Sequence, residues 1–177
     1  MTIVISLAVA VLSLLGGVAA FAADPQAQRP APEGWGRAQL GMQLTEFRRL
    51  YPQSEEAPAL PGLSLDGRVR REVVWKVRAE GLTKPVDLEF RFWDGKLWMI
   101  LVYANQVPGA ELRSFLEARF GAPTLASEKP SWMWPRVKVV AEPQQGWFAI
   151  FDRDLGKQVQ AAMYPTPASG EPKPKAP

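Results

Sequence analysis

The sequence predicts an α+β fold, an antiparallel β-sheet with short helices packed on one face. Three observations carry that expectation. Apolar and polar residues alternate with period two through Val69 to Ala79 and through Val86 to Tyr103. Helical apolar spacing marks Leu44 to Tyr51 and Ala110 to Phe120. The strand-like runs also come in adjacent groups instead of alternating one for one with helices, which favours antiparallel pairing.

In Leu44 to Tyr51, the residues Leu44, Phe47, Leu50 and Tyr51 fall on one helical face, and Pro52 stops the helix. The following loop, Gln53 to Leu63, holds Pro58, Pro61 and Gly62 as turn residues and the acidic pair Glu55 and Glu56. Val69 to Ala79 then reads as a half-buried strand. Val69, Val73, Trp75 and Val77 point to the core, and Arg68, Arg70, Glu72, Lys76 and Arg78 point away.

Val86 to Tyr103 reads as a hairpin, because Asp94-Gly95 is the favoured loop of a type I′ turn. An unbroken register from that turn sets Trp93 opposite Lys96, Phe92 opposite Leu97, Arg91 opposite Trp98 and Phe90 opposite Met99. The core face is then Val86, Leu88, Phe90, Phe92, Leu97, Met99, Leu101 and Tyr103. The other face, with Asp87, Glu89, Arg91, Trp93, Lys96, Trp98, Ile100 and Val102, is mixed and at most partly covered.

Pro108-Gly109 opens the second helix, and Gly121 suits its C-terminal cap. Trp132 to Trp134, Val137 to Ala141 and Gly146 to Phe151 read as further strands. Asp152 is placed to cap a last helix with Leu155, Val159 and Met163 along one stripe. The helix-then-strands order recurs, which suggests two divergent repeats, 38–105 and 106–164.

The core belongs to one domain, 35–164. All seven tryptophans and every phenylalanine except Phe21 fall inside it, within a chain of 177 residues that is 47% hydrophobic and 22% charged. Residues 1–22 read as a signal peptide: the stretch is uncharged and apolar and ends in Ala20-Phe21-Ala22, a small-x-small cleavage site. Periplasmic or secreted location is the expectation, and inner-membrane anchoring by an uncut segment 3–23 is the alternative. Residues 23–34 form a Pro-rich linker and 165–177 a disordered Pro/Lys tail, since neither holds enough large apolar side chains to order itself.

Composition excludes whole classes of chemistry. The chain has no cysteine and no histidine, so disulfides, thiolate nucleophiles, iron–sulfur clusters and His or Cys metal sites are out of reach. Gly-rich phosphate loops, Gly-x-Ser-x-Gly elbows and metal-spaced clusters are also missing from the sequence. No cofactor, no metal and no catalytic residue is expected. A net charge of +3 with no Lys/Arg-rich arm, in an exported chain, argues against nucleic acid.

The segment Leu40-Gly41-Met42-Gln43-Leu44-Thr45-Glu46-Phe47 resembles the hydrophobic-Gly-Met-Ser/Thr-x-x-Glu-hydrophobic helix start of small periplasmic bacterial proteins related to the outer-membrane assembly lipoprotein BamE and to β-lactamase inhibitor protein. Phe120-Gly121-Ala122-Pro123 is similar to the Gly-x-Pro that follows such helices. The resemblance covers a small part of the chain and implies an α+β scaffold or inhibitor that binds other proteins. Two departures stand out: the lipid-carrying cysteine is missing, and Gln43 occupies the Ser/Thr cap position.

Two residue sets are candidate binding sites. Arg68, Arg70, Lys76 and Arg78 share one strand face at spacings of about 7 Å per two residues, with Arg71 on the opposite face. Such a row suits an acidic protein patch or an anionic envelope component, or else protects a sheet edge from aggregation. Trp93 and Trp98 on the outer hairpin face are candidates for stacking on a sugar or anchoring a partner, whereas Trp75, Trp132, Trp134 and Trp147 read as core. Asp152 and Asp154 form a close acidic pair that reads as helix capping.

The expectation is a non-catalytic exported envelope protein that binds a protein or an anionic envelope component. A carbohydrate-binding module requires Trp93 and Trp98 exposed and coplanar. A carboxylate-dependent hydrolase requires a concave pocket lined by at least two acids.

Overall fold

The computed structural model describes residues 29–58 and 67–164. The expected signal peptide, the first part of the linker, the end of the Gln53 to Leu63 loop and the Pro/Lys tail lie outside the described residues. In chain order the elements are β1 (Gly34–Trp35), β2 (Ala38–Gln39), α1 (Leu44–Leu50), β3 (Glu55–Glu56), β4 (Val69–Val77), β5 (Val86–Trp93), β6 (Lys96–Tyr103), α2 (Gly109–Phe120), β7 (Ser131–Met133), β8 (Val137–Glu142), β9 (Trp147–Asp152) and α3 (Arg153–Met163). A seven-stranded antiparallel sheet runs β3-β4-β5-β6-β9-β8-β7, and β1 pairs with β2 beside it. The α+β class and the antiparallel sheet match the sequence expectation, whereas the short strands β1, β2 and β3 were not expected and β3 lies where a loop was read.

The principal core lies between one sheet face and helices α1 and α2. Phe47 of α1 packs 4.6 Å from Phe90 and 5.2 Å from Phe92, ring centre to ring centre. Leu112, Leu116 and Phe120 of α2 belong to the same buried cluster as Val102, Phe148, Ile150 and Trp132, with the Phe120 ring centre 5.8 Å from that of Trp132 and 6.4 Å from that of Phe148. Burial of each such side chain contributes about 1.5–3 kcal/mol. Trp132 also hydrogen-bonds: its Nε1–H donates to the Gly121 carbonyl at 2.8 Å, tying the end of α2 to β7.

Gln43 does sit at the N-cap of α1, and its side chain makes no capping bond. The hairpin turn compensates. The Leu44 N–H donates to the Gly95 carbonyl at 2.8 Å, and Gly41 and Met42 bond to Leu97 through their backbones. Orphan donors of a helix start are thus met by a neighbouring turn instead of a side chain. The turn itself has Asp94 at φ 47 and Gly95 at φ 75, as a type I′ loop requires.

Three expectations are corrected here. First, α3 lies on the opposite sheet face from α1 and α2: Leu155, Val159, Ala162 and Met163 pack on Val69, Trp93, Trp98, Met99 and Phe151. Second, the hairpin register shifts, because Arg91 pairs with Met99 while Phe92 pairs with Leu97, leaving Trp98 as an extra residue in a bulge. One extra residue reverses every side chain beyond it. Ile100 and Val102 are consequently the fully buried core residues, while Met99, Leu101 and Tyr103 face the other way and are half-buried.

Third, β4 does not alternate as expected. Its ladder with β5 is regular from Val69 to Val74, is interrupted, and resumes at Val77. Trp75 and Lys76 form the bulge, and Lys76 has φ 52, one of two non-glycine residues with positive φ among those described. Trp75 is therefore 55% exposed instead of in the core. Glu72, expected on a solvated face, is 1% exposed beneath α1. Arg48 Nε donates to its Oε1 at 2.8 Å and Ser54 Oγ to its Oε2 at 2.9 Å.

Candidate functional site

The expected basic row is split by the bulge. At one end each arginine has an acidic partner. Arg68 Nε donates to Asp94 Oδ1 at 2.8 Å, and the Arg68 guanidinium also lies 4.2 Å from the centre of the Trp93 ring. The hydrogen bond from Arg68 holds the Asp94 carboxyl below its ordinary pKa. Arg70 lies 3.7 Å from Glu56, on the short strand β3 that covers part of the outer edge of β4.

At the other end, Lys76 and Arg78 are exposed and form no salt bridge to any described residue. Between these two positions and the regular part of the strand stands Trp75. Its indole Nε1–H donates to Glu55 Oε2 at 3.2 Å, which fixes the ring while leaving most of it in water. Asp87 Oδ1 accepts the Lys76 backbone N–H at 2.9 Å and so holds the bulge from the neighbouring strand. Strand β3 pairs β4 only at Glu72 and Val73, so no described strand covers β4 beyond that point. A rigid exposed indole beside two unpaired cations on an uncovered edge is a surface that can anchor an anionic partner.

Sequence reasoning missed Trp75 by assigning it to the core. A signal was present: Val73-Val74-Trp75 puts three apolar residues in succession, which strict alternation does not allow and a bulge does.

Trp93 and Trp98 are 2% and 7% exposed under α3. Neither can stack on a sugar, so the exposed tryptophan platform expected from the sequence does not exist in the fold. The cause is α3, whose apolar stripe needs a surface to bury and takes the face left mixed in the hairpin pattern. Trp98 Nε1 is buried without a hydrogen-bond partner among the described residues.

Beside α3 the same face carries a closed ionic cluster. Glu89, 3% exposed, accepts from Arg71 Nε and Nη2 at 2.9 and 2.7 Å, from Arg91 Nε at 2.6 Å and from the Tyr103 hydroxyl at 3.2 Å. Burial pushes its carboxyl up, but the hydrogen bonds and charges of Arg71 and Arg91 prevail, and the pKa lies below the ordinary value. Burial, then the charge of Glu89, raises the Tyr103 phenol. Because the carboxylate is saturated with donors, the cluster clamps β4, β5 and β6 together and presents no free carboxylate to a ligand.

A cavity of about 360 Å³ lined by Glu33 and Asp152, with Arg136, Gln39 and Leu40, supplies the two acids a hydrolase would need. Asp152 is already engaged. Its Oδ1 accepts the Asp154 and Leu155 backbone N–H groups as the α3 cap, and its Oδ2 faces Arg136 at 3.6 Å. Among the described residues no group of three or more acidic residues is placed to hold a metal ion, and no helix is long and apolar enough to cross a membrane. No family model matches the chain, and no curated protein or solved structure matches it significantly, so its own residues carry the functional argument.

Proposed function

We propose that the chain is an exported, non-catalytic envelope protein that binds a protein partner presenting an acidic segment, with Trp75 as the anchor and Lys76 and Arg78 as the cations that meet the acid. The observation that carries this reading is Trp75 itself, 55% exposed on a bulge next to two cations that have no salt-bridge partner among the described residues. An indole offers a large rigid contact at little entropy cost, and hot spots of protein interfaces are enriched in Trp and Arg. Export rests on the uncharged N-terminal segment and its Ala20-Phe21-Ala22 site. The non-catalytic reading is supported by the engagement of both Asp152 oxygens in the two-acid cavity.

The test is capture from a cell-envelope extract with the wild-type chain, with Trp75→Ala and with the double variant Lys76→Glu/Arg78→Glu, followed by titration of the recovered protein after purification. Trp75→Ala should weaken that complex by about 2 kcal/mol, as expected for truncation of an interface anchor. The charge reversal should slow association and remove its salt dependence. Vesicles of anionic phospholipid form the second arm. Binding to vesicles that needs the cations but ignores Trp75 would replace the protein partner with a lipid surface.

A further inference from the structure

A second site lies on the α1/α2 side of the sheet edge. Trp35 of β1, Tyr51 at the end of α1, Val77 and Arg78 at the end of β4, Leu88 of β5 and Arg119 in the last turn of α2 line a cavity of about 220 Å³ together with Gly36, Ala79 and Glu80. Its floor is apolar and aromatic, since Trp35, Tyr51 and Leu88 are all buried. Its rim carries two guanidinium groups and one carboxylate, that of Glu80, so the lining remains net cationic. The Arg119 guanidinium stacks 4.9 Å from the Trp35 ring centre, and neither Arg119 nor Arg78 forms a salt bridge to a described residue.

Tyr51 adds a third donor. It is only 8% exposed, its hydroxyl oxygen accepts the Arg37 backbone N–H at 3.0 Å, and the hydroxyl donates to no described residue. A buried hydroxyl retains a proton to give, and buried donors ordinarily find acceptors. Two guanidiniums without a salt bridge to a described residue, and a phenol, outweigh the one Glu80 carboxylate around this hollow and suit a carboxylate ligand, which accepts from a fork of N–H groups and an O–H together. The apolar floor suits a short hydrocarbon or ring attached to that carboxylate. A hollow of about 220 Å³ has room for a ring or short chain of this kind.

We infer that this cavity binds a small organic acid, its carboxylate held by Arg78, Arg119 and the Tyr51 hydroxyl and its apolar body lying on Trp35, Val77 and Leu88. The inference does not rest on the protein-partner reading, although Arg78 serves both. Trp75→Ala removes the proposed partner anchor and leaves this cavity intact.

The experiment uses phenylacetate as probe, 2-phenylethanol as its uncharged counterpart and inorganic phosphate as a bare anion, each titrated into the full chain labelled with nitrogen-15. Phenylacetate should shift the Trp35 indole N–H and the Gly36 amide saturably, and 2-phenylethanol should bind at least about tenfold more weakly, the loss expected when a charged hydrogen-bonding group is removed. Arg119→Gln and Arg78→Gln should each cost about tenfold, and Tyr51→Phe a smaller factor of roughly three to ten. Trp75→Ala should bind phenylacetate as the wild type does. The inference is overturned by the lack of any saturable shift up to the order of 10 mM, a concentration at which even a very weak site would fill. Equal binding of acid and alcohol, equal binding of phosphate, or indifference to both arginine substitutions would overturn it as well.

Discussion

Lys76 holds a φ of 52 in a strand, where a non-glycine side chain crowds its own backbone. Such a conformation costs roughly 1–2 kcal/mol and persists where the surroundings impose it; here Asp87 binds the Lys76 N–H. Lys76→Gly should therefore raise stability by about 1 kcal/mol in urea unfolding, while Lys76→Val should lower it by at least as much. Trp75→Ala, in contrast, should change the unfolding free energy from urea titration by no more than about 0.5 kcal/mol, since an exposed ring carries little of the core. Trp132→Ala, which empties a fully buried site, should cost about 3–5 kcal/mol. Glu89 sets an acid limit. Its folded pKa lies below the ordinary 4.5, so the stability it contributes is complete above that value and is lost as the pH falls through the lowered one. Glu89→Gln should cost about 3 kcal/mol or more by leaving Arg71 and Arg91 without their carboxylate, and should flatten the acid limb of a stability-against-pH curve.

Among the elements, the hairpin separates what a sequence displays from what it hides. Asp94-Gly95 announces its turn through conformations that few other pairs adopt, and the turn stands where expected. The face of each residue beyond Leu97 was not legible, because the bulge at Trp98 inserts one residue and a mixed outer face gives no pattern against which to detect it. Helix α3 was legible as an element from its cap and its stripe: Asp152 Oδ1 accepts from Asp154 and Leu155 as expected. A stripe does not state which sheet face it will cover, and that is why Trp93 and Trp98 were misplaced. Gly156 interrupts α3 in its interior, and a Cβ there would meet nothing within 4 Å. Gly156→Ala should raise the unfolding free energy by about 0.5–1 kcal/mol, because alanine loses less backbone entropy in a helix. A loss of stability would show that α3 packs more closely at that point than the structure has it.

At the scale of the molecule, the two halves of the sheet meet at β6 and β9, so that β4-β5-β6 runs into β9-β8-β7, with α1 and α2 contributing to one core. The site was only partly readable. Arg68, Arg70, Lys76 and Arg78 were visible as charges, but which of them retain an unpaired charge depends on Asp94 and Glu56, brought in by other elements. The aromatic anchor was hidden by the same bulge that exposes it. This bulge is the proposed contact surface for a protein. The most direct test of that contact is photo-crosslinking from position 75 of the full chain in intact cells, with position 125 as control, since Leu125 is also exposed, at 59%. A discrete protein adduct is expected from position 75, missing from position 125 and lost when Lys76→Glu and Arg78→Glu are added. Adducts of equal yield from both positions, or an adduct indifferent to the charge reversal, would contradict it.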